Sequence, residues 1–361
     1  MDQTKDQAQA KPNANDKGGY RQINKSLNIC AFEDYLESQT ARLPPLADVE
    51  QCSPRVLRVL GQNPGKFTLQ GTNTYIVGTG HERALIDTGG GSPEWAELVA
   101  TTLQQHNIRL SHVLLTHWHG DHTGGVPDLL RLYPDLSDSI YKHTPDRGQQ
   151  AIADNQKFVV AGATIRAVHS PGHSEDHMCF VLEEERAMFT GDNILGVGTS
   201  AVEDLGIFMQ SLRKMQAQAC QVGYSAHGST MADLPAKIAQ ELAAKTRRER
   251  QVLQTLQRLN REGVQRVTVK ELVARMYGGG INSDVAELAL EPFMDEVLRK
   301  LAADGKVAFE KRKGVKRWFE LAAPRNRDTE KDVHAHVAAA VPVSPMTGSN
   351  SMRSAPAIRA F

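Results

Sequence analysis

His117-Trp118-His119-Gly120-Asp121-His122 places three imidazoles and one carboxylate within six consecutive residues. Residues 111–116 before this run predict a short apolar strand, and Gly124 and Gly125 follow it, so we expect the run on a loop that leaves a strand. On a loop, side chains two residues apart can converge on one ion. Imidazole and carboxylate ligands favour zinc, with manganese or iron as alternatives. The run therefore predicts a metal-dependent hydrolase, and a histidine-rich surface turn is the alternative interpretation.

Three later motifs each carry one potential ligand directly after an apolar stretch. They are Ser170-Pro171-Gly172-His173-Ser174, Phe189-Thr190-Gly191-Asp192 and Tyr224-Ser225-Ala226-His227-Gly228. Residues 164–169, 186–189 and 222–225 predict the strands that precede these ligands. Strand ends that meet at one edge of a sheet form a natural metal cup. Each motif alone is an ordinary turn, but together and in this order they are specific.

In this order the motifs resemble those of the metallo-β-lactamase superfamily. The resemblance covers about residues 55–240 and implies an αββα sandwich, an α/β fold, with two metals at one edge. It implies that one metal binds His117, His119 and His173, that the other binds Asp121, His122 and His227, and that Asp192 bridges them. Asp121 is also a candidate catalytic residue, because a carboxylate facing the shared water can accept and return its proton. A role as ligand alone is the alternative.

The segment before the ligand run agrees with this interpretation. Ala84-Leu85-Ile86-Asp87-Thr88-Gly89-Gly90 resembles the first motif of the superfamily, in which the aspartate orients a ligand rather than binding metal. Ser92 and Pro93 then predict the start of an amphipathic helix, with the serine as N-cap.

Composition limits the other functional classes. The chain has 361 residues, 40% of them hydrophobic, which is enough for a large core and two or three domains. Its 42 basic and 42 acidic residues cancel, so no global basic field predicts binding to nucleic acid or to a membrane. Four scattered cysteines indicate reduced thiols, and neither a long apolar run nor a signal-peptide core is present. We expect a soluble, cytoplasmic protein.

The sequence predicts four regions: a disordered extension at 1–19, the hydrolase domain at 20–244, a winged-helix-like domain at 245–322 and a disordered tail at 323–361. The third region is predicted from helices at 247–259, after Val267 and at 285–303, followed by a hairpin at 306–320. The basic residues of the hairpin are Lys311, Arg312, Lys313, Lys316 and Arg317. DNA binding is one interpretation, but the acidic residues of the third helix favour a protein or substrate contact surface. Those acidic residues are Glu287, Glu291, Asp295 and Glu296.

A narrower resemblance covers about residues 20–322. The stretches 23–32, 65–75, 115–127 and 203–210 are similar to fungal metallo-β-lactamase-type thioesterases, which include the atrochrysone carboxyl acyl-carrier-protein thioesterases. This resemblance implies hydrolysis of an aromatic polyketide thioester on the acyl carrier domain of a non-reducing polyketide synthase. The product would be a carboxylic acid such as atrochrysone carboxylic acid, in an anthraquinone, xanthone or related pathway.

The expected chemistry suits a thioester. Two cations that share a water lower its pKa toward about 7, and a thiol with a pKa near about 8.5 leaves as thiolate with little proton help. Two alternatives share the metal site: a single-strand endoribonuclease, in which the basic hairpin would hold the RNA backbone, and a glutathione thioester hydrolase. Neutral net charge and the lack of an aromatic-rich C-terminal surface count against the endoribonuclease.

Overall fold

The computed structural model describes residues 43–65, 67–278, 283 and 286–321. Predictions made for residues 1–19, 23–32 and 323–361 lie outside the described residues. The first sheet has seven strands in chain order: β1 Val49–Ser53, β2 Val56–Leu60, β3 Asn73–Val77, β4 Glu82–Ile86, β5 Arg109–Leu114, β6 Ile140–Lys142 and β7 Gln150–Ala151. The second has the order β12-β11-β10-β9-β8: β8 Lys157–Val160, β9 Ala163–His169, β10 Met178–Leu182, β11 Ala187–Gly191 and β12 Val222–Ser225.

The two sheets pack face to face, and alternate side chains of their strands point into the core between the sheets. In β10, Met178, Phe180 and Leu182 belong to the core between the sheets, whereas Cys179 and Val181 face the opposite way. Side chains on a strand point to opposite faces with a period of two, so a strand buried on both faces is apolar throughout. Each fully buried Leu or Phe of this core stabilises the fold by roughly 1.5–3 kcal/mol.

Helices cover the outer face of each sheet. The first sheet is covered by α1 Pro93–Gln105 and α3 Val126–Leu132, with Trp95 fully buried against it. The second sheet is covered by α4 Leu205–Ala217 and by the start of α5 Leu234–Arg261. This arrangement is an αββα sandwich, and it confirms the predicted fold class.

The C-terminal helices share a separate core. It joins α5 to α6 Val269–Tyr277, α7 Glu291–Ala303 and the hairpin of β13 Val307–Arg312 and β14 Val315–Glu320. Thr268 and Glu271 form the capping box that begins α6, and a π-helical turn, Ala286–Leu290, leads into α7. The order of helices and hairpin is the predicted one, while the winged-helix assignment and the domain limits stay predictions. The predicted boundary at 244/245 falls inside α5.

One local prediction was wrong, and a second was confirmed in position but lacks the capping bond. Gly120–Thr123 forms a one-turn helix, α2, so Asp121 and His122 do not lie on a loop, because the His119 carbonyl accepts bonds from the backbone N–H groups of His122 and Thr123. Ser92 occupies the N-cap position of α1, but its hydroxyl donates to the Glu94 carboxylate instead of capping the backbone. Among the described helices, none combines the length and the apolar character that crossing a bilayer requires.

Candidate metal centre

The candidate ligands follow the carboxyl ends of strands that meet at one edge of the sandwich. β4 and β5 are parallel neighbours, and so are β11 and β12. The ligand run follows β5, His173 follows β9, Asp192 follows β11 and His227 follows β12. The predicted strands before these residues are present, and the structure brings all seven predicted side chains together.

The first group consists of His117, His119 and His173, with Asp192 beside them. Nε2 of His117 lies 2.7 Å from Nδ1 of His119, and Nε2 of His173 lies 3.2 and 3.1 Å from these two atoms. All three imidazoles are buried. Three ring nitrogens thus point at one small volume.

The second group consists of Asp121, His122 and His227, again with Asp192. Nε2 of His227 lies 3.3 Å from Asp121 and 3.2 Å from Asp192, and Nε2 of His122 lies 3.5 and 3.4 Å from the same carboxylates. Asp192 is therefore the side chain that the two groups share.

These separations fit donors around a common ion. Hydrogen bonds between charged groups are typically about 2.7–2.9 Å long, whereas two donors about 2.0–2.1 Å from one tetrahedral zinc lie about 3.3 Å apart. Six of the seven quoted distances lie between 3.1 and 3.5 Å. The donor set, five imidazoles and two carboxylates, is one that zinc, manganese and iron all accept.

Asp87 orients one of the imidazoles. Its carboxylate is buried at the end of β4 and accepts a bond from Nδ1 of His122 at 2.8 Å. The backbone N–H of Thr116 donates to the same carboxylate at 2.8 Å, and the Thr116 hydroxyl donates at 2.9 Å. With the proton on Nδ1, the lone pair of His122 Nε2 is directed at the second group. This contact is the orienting role that the sequence predicted for Asp87.

Backbone contacts fix two other ligand positions. Nδ1 of His173 donates to the Ala201 carbonyl at 2.8 Å, which leaves Nε2 facing the first group. Near His227, the Asn73 amide donates to the carbonyls of Ser225 and Gly228 at 2.9 and 2.8 Å. The His173 ring is therefore held by a contact on the side away from the shared volume, and the backbone on both sides of His227 is anchored to Asn73.

Electrostatics divides the two groups. Burial, followed by repulsion from His122, lowers the pKa of His117 well below its usual range, and burial with repulsion from His173 lowers the pKa of His119 to about 3. In the second group burial alone would lower the pKa of His227, but Asp192 and Asp121 outweigh it and raise the pKa to about 9. For Asp121, burial alone would raise the pKa, but His122 and His227 outweigh it and lower the pKa to about 2. At neutral pH the imidazoles of the first group are thus neutral, whereas the second group pairs protonated imidazole with ionised carboxylate.

One functional candidate, His177, was missed by sequence reasoning. Its Nε2 accepts a bond from the backbone N–H of Asp192 at 3.1 Å, and its ring centroid lies 5.1 Å from that of His117. Gly191 has φ +50°, and a Cβ there would lie 2.5 Å from His177 Nε2, so the turn that presents Asp192 requires glycine. The only available signal was a histidine four residues after His173, immediately before β10.

The basic hairpin is less cationic than its sequence suggests. Lys316 lies 3.8 Å from Asp295 of α7, Arg317 lies 3.6 Å from Glu271 of α6, and Arg312 pairs with Glu310 at 3.0 Å. Three of the five predicted cations therefore have a carboxylate beside them, which weakens the field available to a phosphate backbone.

A family model described as the metallo-beta-lactamase superfamily matches residues 67–227, the segment that carries all seven candidate ligands. An atrochrysone carboxyl ACP thioesterase of Claviceps purpurea is 66% identical over 308 residues, which is 85% of this chain and 99% of the relative.

The chain belongs to the metallo-beta-lactamase superfamily.

Further relatives of this superfamily member have similar coverage. An atrochrysone carboxyl ACP thioesterase of a Cryptosporiopsis species is 65% identical over 84% of this chain and 97% of its own length. A lactamase-like protein of Pestalotiopsis fici is 67% identical over 85% of this chain and 98% of its own length. A solved structure of a beta-lactamase domain protein from Burkholderia ambifaria has a TM-score of 0.62 at 18% identity, covering 78% of this chain and 96% of that one. That likeness supports the fold alone.

Proposed function

We propose that this chain is a metal-dependent thioesterase of fungal polyketide biosynthesis. Its substrate would be an aromatic polyketide held as a thioester on the acyl carrier domain of a non-reducing polyketide synthase, and its product a carboxylic acid such as atrochrysone carboxylic acid. The observation that carries this proposal is the 65–66% identity, over nearly their whole length, to relatives named atrochrysone carboxyl ACP thioesterase.

The proposed cofactor is a pair of zinc ions, with manganese or iron as alternatives. His117, His119 and His173 would hold one ion, Asp121, His122 and His227 the other, and Asp192 would contact both. When bound, such a pair supplies a water of lowered pKa and polarises the carbonyl that is attacked. The ligand separations of 3.1–3.5 Å and the shared Asp192 support this assignment.

Asp121 is proposed to accept the proton of the attacking water. Its side chain is 26% exposed, against 12% for Asp192, so it combines contact with the site and access to solvent. Burial alone would raise the pKa of Asp121, but the neighbouring His122 and His227 outweigh it and lower the pKa to about 2, so the carboxylate is ionised at neutral pH, as a proton acceptor must be. Asp192 is nearly enclosed and serves to hold the two ligand groups together.

The leaving group favours a thioester over an amide or a phosphodiester. A phosphopantetheine thiol, with a pKa near about 8.5, departs as thiolate, so the C–S bond breaks without a strong acid beside the sulfur. The paired cations of the hairpin give little support to the endoribonuclease alternative. Among the described residues, no observation favours the alternative of a glutathione thioester hydrolase.

The test is hydrolysis by the purified full chain of an acetoacetyl or aryl thioester of pantetheine, followed as release of free thiol. Parallel reactions contain the same acyl group on glutathione and a single-stranded RNA. We expect thiol release from the pantetheine thioester, slower release from the glutathione thioester and intact RNA. Cleaved RNA with an intact thioester would refute the proposal.

A further inference from the structure

The loop of residues 196–204 contacts backbone beside two candidate ligands. At its start, the Gly196 N–H donates to the His227 carbonyl at 3.0 Å. At its end, the N–H groups of Glu203 and Asp204 donate to the Gly172 carbonyl at 2.8 and 3.1 Å, immediately before His173. Between these points lies the Ala201 carbonyl that accepts the bond from His173 Nδ1. The position of this loop therefore sets the orientation of the His173 ring.

Helix α5 holds the middle of the 196–204 loop through a charged pair. Nζ of Lys245 donates to the Thr199 hydroxyl at 2.8 Å, and that hydroxyl donates to Glu241 at 3.1 Å. Lys245 also lies 3.4 Å from Glu241 across one turn of α5. One turn earlier, Lys237 donates to the Gly198 carbonyl at 3.2 Å.

The burial of this pair calls for a reason other than stability. Lys245 is 5% exposed and Glu241 is 8% exposed, and such residues are rarely buried. Replacing a buried ion pair by apolar residues of similar volume is often neutral or stabilising, because both charges must be desolvated. Apolar residues in place of Lys245 and Glu241 could not form hydrogen bonds with the Thr199 hydroxyl.

We infer that Lys245 and Glu241 are positioning residues for the proposed metal centre, acting through Thr199 on the 196–204 loop and so on the ring of His173. The inference deepens the proposed function and rests on its metal centre. It also gives the C-terminal helical region a role in the hydrolase site, since Glu296 of α7 accepts a bond from the Leu205 N–H at 3.0 Å, directly after the loop.

Lys300 supplies a matched control. Its Nζ lies 2.8 Å from Glu249 of α5 and 2.8 Å from Asp304, so it too ties α5 to its surroundings with a charge. In the described part of the chain, the hydrogen bonds and ion pairs of Lys300 reach Glu249 and Asp304 but not the 196–204 loop, and Glu249 is buried as Glu241 is. K300M and K245M should therefore both lower stability, but only K245M should disturb His173.

The experiment measures zinc affinity, with no thioester present. The metal-free full chain is titrated with Zn²⁺ in competition with a fluorescent chelator, for the wild type and for K245M, K245R, T199V, K245M/T199V and K300M. Changes beside metal ligands typically lower affinity 10- to 100-fold, and Lys245 acts through two intervening groups, so we expect about a tenfold loss in K245M and in T199V. The double variant should lose no more than either single variant, K245R should recover part of the affinity, and K300M should match the wild type.

Zinc affinity of K245M within twofold of the wild type, or an equal loss in K300M, would overturn the inference. The wild-type titration tests the proposed centre by itself. If the metal-free wild-type chain binds no zinc, both the proposed centre and the inference are overturned. Because the readout needs no substrate, a wrong assignment of the thioester leaves this test decisive.

Discussion

Asp87→Asn is the substitution that separates orientation of a ligand from ligation itself. The carboxylate oxygen that accepts from His122 Nδ1 at 2.8 Å becomes an amide NH₂, while the other oxygen keeps its bond from the Thr116 N–H. An NH₂ group donates to Nδ1, so the imidazole is driven to the tautomer with its proton on Nε2. That proton occupies the side of His122 that faces Asp121 and Asp192.

The magnitude follows from two independent estimates. One hydrogen bond to a charged group is lost, which costs about 1.5–3 kcal/mol. A partner that orients a metal ligand typically contributes about 10- to 100-fold in metal affinity, which is about 1.4–2.8 kcal/mol. Residue 87 has φ +58°, a conformation that asparagine tolerates, so the backbone is preserved. Asp87→Ala adds an unpaired buried Thr116 N–H, about 1–3 kcal/mol, and a left-handed alanine, about 1–2 kcal/mol.

The assay combines zinc competition with urea unfolding of the metal-free protein. We expect Asp87→Asn to bind zinc 10- to 100-fold more weakly and Asp87→Ala to lose more unfolding free energy than Asp87→Asn. Asp154→Asn is the control, because Asp154 accepts bonds from the His169 N–H and Lys214 and belongs to neither ligand group. Wild-type zinc affinity in Asp87→Asn would refute the claim that Asp87 sets the tautomer of His122.

Three further predictions concern the same site. His119→Ala should lose bound metal in elemental analysis and lose turnover. His112→Ala is the control and should keep both, because the His112 ring packs against Tyr141 and Phe158, away from the ligands. Metal and activity retained in His119→Ala would show that the ligands are misassigned. Burial would lower the pKa of His227 and of His122, but neighbouring carboxylates outweigh it, raising the pKa of His227 to about 9 and that of His122 above its usual range. Zinc must therefore displace a proton from each imidazole at neutral pH, and the zinc affinity should rise from pH 6 to about 9. A zinc affinity that does not change with pH would contradict this prediction. Gly172→Ala should lower the unfolding midpoint in urea more than Gly148→Ala, because both have positive φ but only the Cβ at 172 would meet backbone, 2.4 Å from Phe208 Cα; equal shifts would show that the loop yields.

The convergence of the seven candidate ligands could be predicted from the sequence because each ligand motif follows a strand. A short apolar stretch identifies the strand, and parallel neighbours such as β4 and β5 end at the same edge, so Asp87 and the His117 run meet there. The one-turn helix at Gly120–Thr123 was not predicted, since three glycines among four polar residues, in residues 119–125, are equally typical of a loop.

What the sequence could not predict are contacts between distant side chains. His177 acts on Asp192 from fifteen positions away, and Lys245 reaches Thr199 from forty-six. Neither contact leaves a periodic signal, because both depend on how α5 and the strand-end loops pack. The same limit applies to Lys316 and Arg317 of the hairpin, whose carboxylate partners lie on α7 and α6.

The central claim is that seven converging side chains hold metal and that this metal drives thioester hydrolysis. Its most direct test is the rate of thiol release from a pantetheine thioester by the chelated, metal-free full chain as Zn²⁺ is added in steps. We predict negligible release without metal and recovery that levels off at about two zinc ions per chain, the number that a bridged dinuclear site holds. A rate in the metal-free chain equal to that of the zinc-loaded chain would contradict the account.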